Sequence, residues 1–151
     1  MIQAQRKKVV RLVAPVAVDD ATATSQECDT LGFRYAVITA HIGNIDIALS
    51  ALKITECDTS GGTFADITGL RFGTDENVAG STSGLPSSTD DNKFWEFDID
   101  LRGRKRFLKV VATVGNGSVG AVLTVIAQLF RPDDAPDSAS DRGCEEILRV
   151  P

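Results

Sequence analysis

Apolar residues recur at every second position in short runs along the chain, and polar, Gly-rich stretches separate those runs. Trp95, Phe97, Ile99 and Leu101 alternate with Glu96, Asp98 and Asp100, the signature of a strand with one face on a core and one in water. The same alternation makes a strand of Phe33 to Ala40 and another of Asn44 to Ser50, with a phase slip before Leu52 that implies a bulge or a strand leaving one sheet for another. Val9 to Val18 forms an edge or bent strand, because Pro15 cannot donate to a central ladder. Asp58 to Gly62 is a turn between short strands. Phe107 to Val114 and Val119 to Phe130 are almost wholly apolar, which predicts strands covered on both faces.

Residues 73 to 93 are polar, rich in Gly and Ser and without period, so they predict a long exposed loop of the functional or mobile kind. With no long amphipathic helix and seven or eight strands at short spacing, the chain predicts an all-β antiparallel sandwich of jelly-roll type with extended terminal arms. The sandwich spans residues 1 to 132, with an N-terminal arm over 1 to 11. Residues 133 to 151 form a C-terminal extension whose small apolar end, Ile147, Leu148 and Val150, suits docking on its own domain or on a neighbour.

Composition sharpens this picture in two places. The formal net charge of -5 disfavours general binding to polyanions, yet Arg102, Arg104, Lys105, Arg106 and Lys109 crowd into the stretch DLRGRKRFLKVV. Residues 54 to 100, by contrast, hold ten acids against Arg71 and Lys93, so complementary patches can meet within the fold or between copies. The basic cluster has three readings: a solvated turn that blunts an edge, a contact with acidic protein, or a nucleic-acid patch. The last lacks interleaved aromatic residues for stacking, since Phe107 alone adjoins the cluster. Reversing Arg104 and Lys105 to Glu is expected to spare the fold and weaken association.

Three widely spaced cysteines, Cys28, Cys57 and Cys144, fit neither a disulfide framework nor a zinc spacing and predict reduced thiols made in a cytoplasm. Arg6, Lys7 and Lys8 ahead of VVRLVAPVAV imitate a secretory signal, but Arg11 interrupts the apolar run. No stretch approaches the roughly 20 apolar residues of a membrane span.

Catalytic motifs fail on their context. Gly115 to Gly120 matches G-x-G-x-x-G, but β-branched residues follow where a helix must open, so an Asn-Gly hairpin turn is the better reading. His41 is the sole histidine and has no nucleophile motif nearby. Asp98 and Asp100 share a strand face and could serve a glycosidase, or simply face solvent. Asp19-Asp20, Asp90-Asp91 and Asp133-Asp134 lack EF-hand spacing. The expectation is a protein with no enzymatic step, cofactor or metal.

The runs FDIDLRGRKRFLKVVATVGNGSVGAVLTVIAQLFRP and LKITECDTSGGTFADITG resemble small proteins encoded among the head genes of tailed bacteriophages and prophages, of the jelly-roll capsid cement, or decoration, kind. The resemblance covers about residues 33 to 132 and is best in DLRGRKRFLK and VGNGS. It implies a virion protein on the outer capsid surface, made in the host cytoplasm, that sits as a homotrimer at local three-fold axes and clamps neighbouring major capsid proteins. No nucleic acid or membrane is implied as a partner. The interface candidates Arg102, Arg104, Lys105, Arg106, Ile147, Leu148 and Val150 stand on physical grounds, because no family interface residue transfers individually. A tail, neck or fibre component, or a carbohydrate-binding module built around Trp95 and the 73 to 93 loop, is the alternative. That alternative needs an exposed Trp95, whereas its alternation with Phe97 and Ile99 predicts burial.

Overall fold

The computed structural model describes residues 7 to 148 apart from 135 and 137. Eight strands follow in order: β1 (Lys7–Val18), β2 (Cys28–Asp29), β3 (Tyr35–Ile45), β4 (Leu49–Cys57), β5 (Ala65–Arg71), β6 (Lys93–Asp100), β7 (Phe107–Val114) and β8 (Ala121–Phe130). They form two four-stranded antiparallel sheets, β1-β8-β3-β6 and β2-β7-β4-β5. Successive strands switch sheets at every step except the β4–β5 hairpin, so the topology is a two-sheet jelly roll.

Alternation builds the core directly. β3 buries Ala36, Ile38, Ala40 and Ile42, β8 buries Leu123, Val125, Ala127 and Leu129, and from the facing sheet come Leu52, Ile54, Leu108 and Val110. Truncating one of these, such as Leu123→Ala, removes methyl groups packed in the core between the sheets and costs about 2–5 kcal/mol. A β-bulge between Leu49 and Ala51 lies where the apolar phase slips, and it returns Leu52 to the core. Pro15 sits inside a second irregularity, between Val13 and Val16, on the edge strand β1.

Several boundaries differ from those read in the sequence. Lys7 to Arg11 are not an arm: they pair with Phe130 to Ile126 of β8, and their charges suit an edge strand as well as a tail. Asn44 and Ile45 end β3, and the chain crosses between sheets before β4 begins at Leu49. Gly115 to Gly120 is no hairpin turn, because β7 and β8 lie in different sheets. Gly120 takes the positive φ of +76° at the crossing, and a Cβ there would strike the Val18 carbonyl oxygen. β7 and β8 are covered on one face only; Val111, Val122 and Ile126 on the other are half-exposed. Neighbouring strands on both sides, rather than a second covering layer, account for their apolar character.

The C-terminal extension described here is a set of turns over residues 138 to 143 packed on β1, with the Arg142 carbonyl accepting the Val9 N–H at 2.9 Å.

Candidate functional site

The basic stretch forms the crossing from β6 to β7, at one rim of the sandwich. Leu101 turns inward and anchors the start, Arg104 N–H donates to the Leu101 carbonyl at 3.1 Å, and Gly103 takes φ +78° to let the chain reverse. The reversal throws the cations toward acids carried by other elements. Arg106 grips Asp29 of β2 with two bonds, Nε to Oδ1 at 2.8 Å and Nη2 to Oδ2 at 2.7 Å, and its guanidinium lies 4.9 Å from the Phe107 ring. Arg104 reaches Glu56 of β4 at 3.5 Å, and the same carboxylate accepts the Lys105 backbone N–H at 3.0 Å. Lys105 Nζ stands 3.6 Å from Asp58, Lys109 Nζ stands 3.5 Å from Glu27, and Arg102 pairs with Asp100.

All five cations of the cluster therefore have a carboxylate partner in the same chain. The bonds from Arg106 hold the Asp29 carboxyl below the usual carboxylate range. Glu27 is lowered by the Ser60 hydroxyl and the Gly61 N–H, with help from Lys109. Asp100 falls to about 2 under the Arg102 guanidinium. Phosphate binding here would first have to break pairs already made, so the rim acts as a charge-matched seam that ties the β6–β7 crossing and the start of β7 to β2 and β4 of the second sheet.

The acidic pairs mostly serve the backbone. Asp46 accepts N–H groups from Ser118, Val119 and Gly120 at 2.8, 2.8 and 2.9 Å. Burial opposes its charge, and these donors more than offset that cost, leaving its carboxyl lowered. This cradle, formed by the chain's own aspartate, occupies the place where the G-x-G-x-x-G motif would have needed a helix. Asp19 accepts the Gly117 N–H and Asp91 the Ile45 N–H, while Asp90 accepts the Lys93 ammonium together with the Ser87 hydroxyl and N–H, which bring it to about 2. Among the described residues no group of three His, Cys, Asp or Glu side chains is placed to hold a metal ion.

A second region lies at the opposite edge of the first sheet, beside β6. A groove of about 430 Å³ runs between β5 and β6 under the 72 to 92 connection, lined by Leu70, Phe72, Val78, Trp95 and Phe97 with Glu76 and Glu96. The connection is ordered by its own bonds: Asp75 accepts N–H groups of Gly69 and Arg71 and clamps the Arg71 guanidinium, and Ser83 and Pro86 are buried. Trp95 is half-buried against the core, and its indole N–H donates to the Gly84 carbonyl at 3.1 Å. It is neither the buried strand residue of simple alternation nor a free stacking platform.

Sequence reasoning missed Phe94. It lies one position out of phase with Trp95 and Phe97, stays 67% exposed, and stacks on His41 with ring centroids 4.7 Å apart. Its signal was an aromatic residue on the polar face of the clearest strand. Glu96 and Asp98 share that outer face without an ion pair among the described residues. Burial pushes the neighbouring Tyr35 hydroxyl up, and the Asp98 carboxylate adds to the effect.

Of the apolar interface candidates, Ile147 is half-buried, Leu148 is 97% exposed, and Val150 lies outside the described residues. They are far in the chain from the basic rim, and no hydrogen bond or ion pair joins the two groups among the described residues.

No family model matches this sequence, and comparison with curated proteins gave no match. Among solved structures the chain is similar to the SPBc2 prophage-derived protein YomS, at 15% identity and a TM-score of 0.49 over 83% of this chain and 93% of that one.

Proposed function

We propose that this chain is a virion structural protein, a jelly-roll capsid cement protein that binds the outer surface of a phage head as a homotrimer and stabilises contacts between major capsid proteins. The resemblance of DLRGRKRFLK and VGNGS to phage head proteins suggests the setting. The observation that carries the reading is the C-terminal extension: it is fastened to β1 through Arg142 and Val9, then presents Leu148 with 97% of its surface in water. A segment fastened at Val9 that carries an uncovered leucine beyond the fastening suits a clasp on a neighbouring molecule. A cement protein needs no catalytic group. It binds assembled capsomers and not separated ones, so mass action shifts assembly toward the closed shell.

Purified protein mixed with undecorated, expanded heads is expected to bind stoichiometrically and raise their melting temperature. Absence of binding to any expanded head overturns the proposal. The carbohydrate-binding alternative draws on the groove beside Trp95, but that indole is half-buried and its N–H is committed to Gly84. Glycan binding lost in Trp95→Ala, with the fold retained, would favour the alternative.

A further inference from the structure

The two sheets have four edges, and three are guarded. On β1 the Val9 N–H is taken by Arg142 and the Leu12 carbonyl by the Gln26 N–H at 2.8 Å, with Pro15 further along. On β5 the Asp75 carboxylate accepts the N–H groups of Gly69 and Arg71, each at 2.9 Å. β2 has only two residues. These are the devices by which sheets avoid pairing with foreign strands. β6 has eight residues and pairs with β3 alone; its charged side chains and the 72 to 92 connection lie beside it, but among the described residues no side chain or loop is hydrogen-bonded to its outer backbone groups.

We propose that the open edge of β6 receives, as an added strand, the residues that precede Lys7 in a second copy of this chain. The inference rests on the reading of the chain as a self-associating structural protein. Strand addition supplies main-chain hydrogen bonds along the edge, while pockets beside it select side chains. The apolar groove next to β6 is such a pocket, and Phe94 lies exposed on the same strand.

Charge selects the occupant. Glu76, Glu96 and Asp98 have no ion pair among the described residues, whereas every cation of the basic rim has found an acid. The sequence ahead of and into β1, MIQAQRKK, alternates Ile2 and Ala4 with Gln3 and Gln5 and ends in Arg6, Lys7 and Lys8. Six residues in extended form span about 20 Å, the length of β6 from Phe94 to Asp100.

The donor must be another copy. Lys7, Phe130, Tyr35 and Asp100 lie in one row across the first sheet, so β1 and β6 are three strand spacings apart, ~14 Å. Crossing that end would use about four of residues 1 to 6, so this segment cannot also pair with β6 of its own copy. A donor edge on β1 and an acceptor edge on β6 make a head-to-tail contact, which closes into a ring when the rotation permits. A closed ring of three is the geometry that the proposed homotrimer requires.

Sedimentation velocity on the full chain at micromolar concentration, without heads, tests this. The full chain is expected to be oligomeric. Glu96→Lys with Asp98→Lys is expected to weaken association at least about tenfold. Adding Arg6→Glu and Lys7→Glu to that variant is expected to restore it, which a merely damaged fold would not allow. A chain lacking residues 1 to 6 keeps β1 and is expected to be monomeric. A monomeric full chain, an undiminished oligomer in Glu96→Lys/Asp98→Lys, or failure of the charge swap overturns the inference. A monomer that still binds heads overturns strand addition alone, with a basic segment of another protein as the occupant if Glu96→Lys/Asp98→Lys abolishes that binding. An oligomer that ignores heads overturns the capsid reading alone.

Discussion

The guanidinium of Arg106 lies in the fork of the Asp29 carboxylate, with bonds of 2.8 and 2.7 Å that join the start of β7 to the end of β2. The pair sets the pattern for most of the basic rim: apart from Arg102, which pairs with Asp100 of β6, its cations meet acids of β2, β4 and the loops beside them. Charge segregated along the sequence is recombined by the fold.

Reversing Arg104 and Lys105 to Glu would therefore place new carboxylates against Glu56 and Asp58. Exposed pairs are worth little each, so the loss of two and the repulsion that replaces them are expected to cost about 1–3 kcal/mol together. The expectation drawn from sequence, an untouched fold, is changed by these partners. Thermal melts of the double variant should show a lowered midpoint that recovers in part at high salt. An unchanged midpoint at low salt would mean the pairs do not form in solution.

Stability should fall in acid. The carboxyls of Asp29, Glu27, Asp90 and Asp100 lie below their unfolded values in the folded chain, the last two at about 2. The unfolded chain therefore takes up protons first as pH drops, and the stabilisation present above about pH 4.5 is lost progressively toward pH 2. Urea midpoints at about pH 6, 4 and 2.5 should decrease in that order, and a flat series would contradict the assignment.

Gly143 has φ +72°, and a Cβ on it would run into the Val9 carbonyl oxygen. Gly143→Ala is expected to loosen the C-terminal extension from β1 while the sandwich core, which the residue does not touch, keeps its packing. Limited proteolysis should then cut at residues 138 to 148 many times faster than in the parent, with a small change in the melting midpoint. Equal cleavage rates would show that the extension is not held at Val9.

The three thiols should separate by access. Cys28 is fully buried and its thiol is pushed up to about 12 by that burial, Cys57 is buried, and Cys144 is half-exposed. In the folded protein a thiol reagent at about pH 8 is expected to label Cys144 first, with Cys28 and Cys57 reacting only on unfolding. Rapid labelling of Cys28 would contradict the packing of β2 on β7.

The strands were legible because alternation is a local signal: Trp95 to Leu101 announces its buried face, whereas Phe33 to Ala40 announces a strand but not its face, since Ala36, Ile38 and Ala40 are buried and Tyr35 and Val37 are not. The phase slip before Leu52 implied a bulge or a change of sheet, and the structure has both, a crossing between Ile45 and Leu49 and a register shift between Leu49 and Ala51. Sheet membership was not legible, since an Asn-Gly pair serves a crossing between sheets as well as a hairpin, and Gly115 to Gly120 was misread for that reason. The basic cluster was visible at once, but its partners Asp29, Glu56 and Asp58 are remote in the chain and only the fold unites them. The open edge of β6 had no sequence signal at all. It is defined by the guards that the other edges possess.

The most direct test of the proposed function is a cryo-EM map of phage particles made in cells that express this protein. Two four-stranded sheets per copy are expected on the outside of the shell, grouped in threes at local three-fold axes and touching adjacent major capsid proteins. Density for the chain in the tail, neck or fibres, or its absence from the particle, would contradict the account.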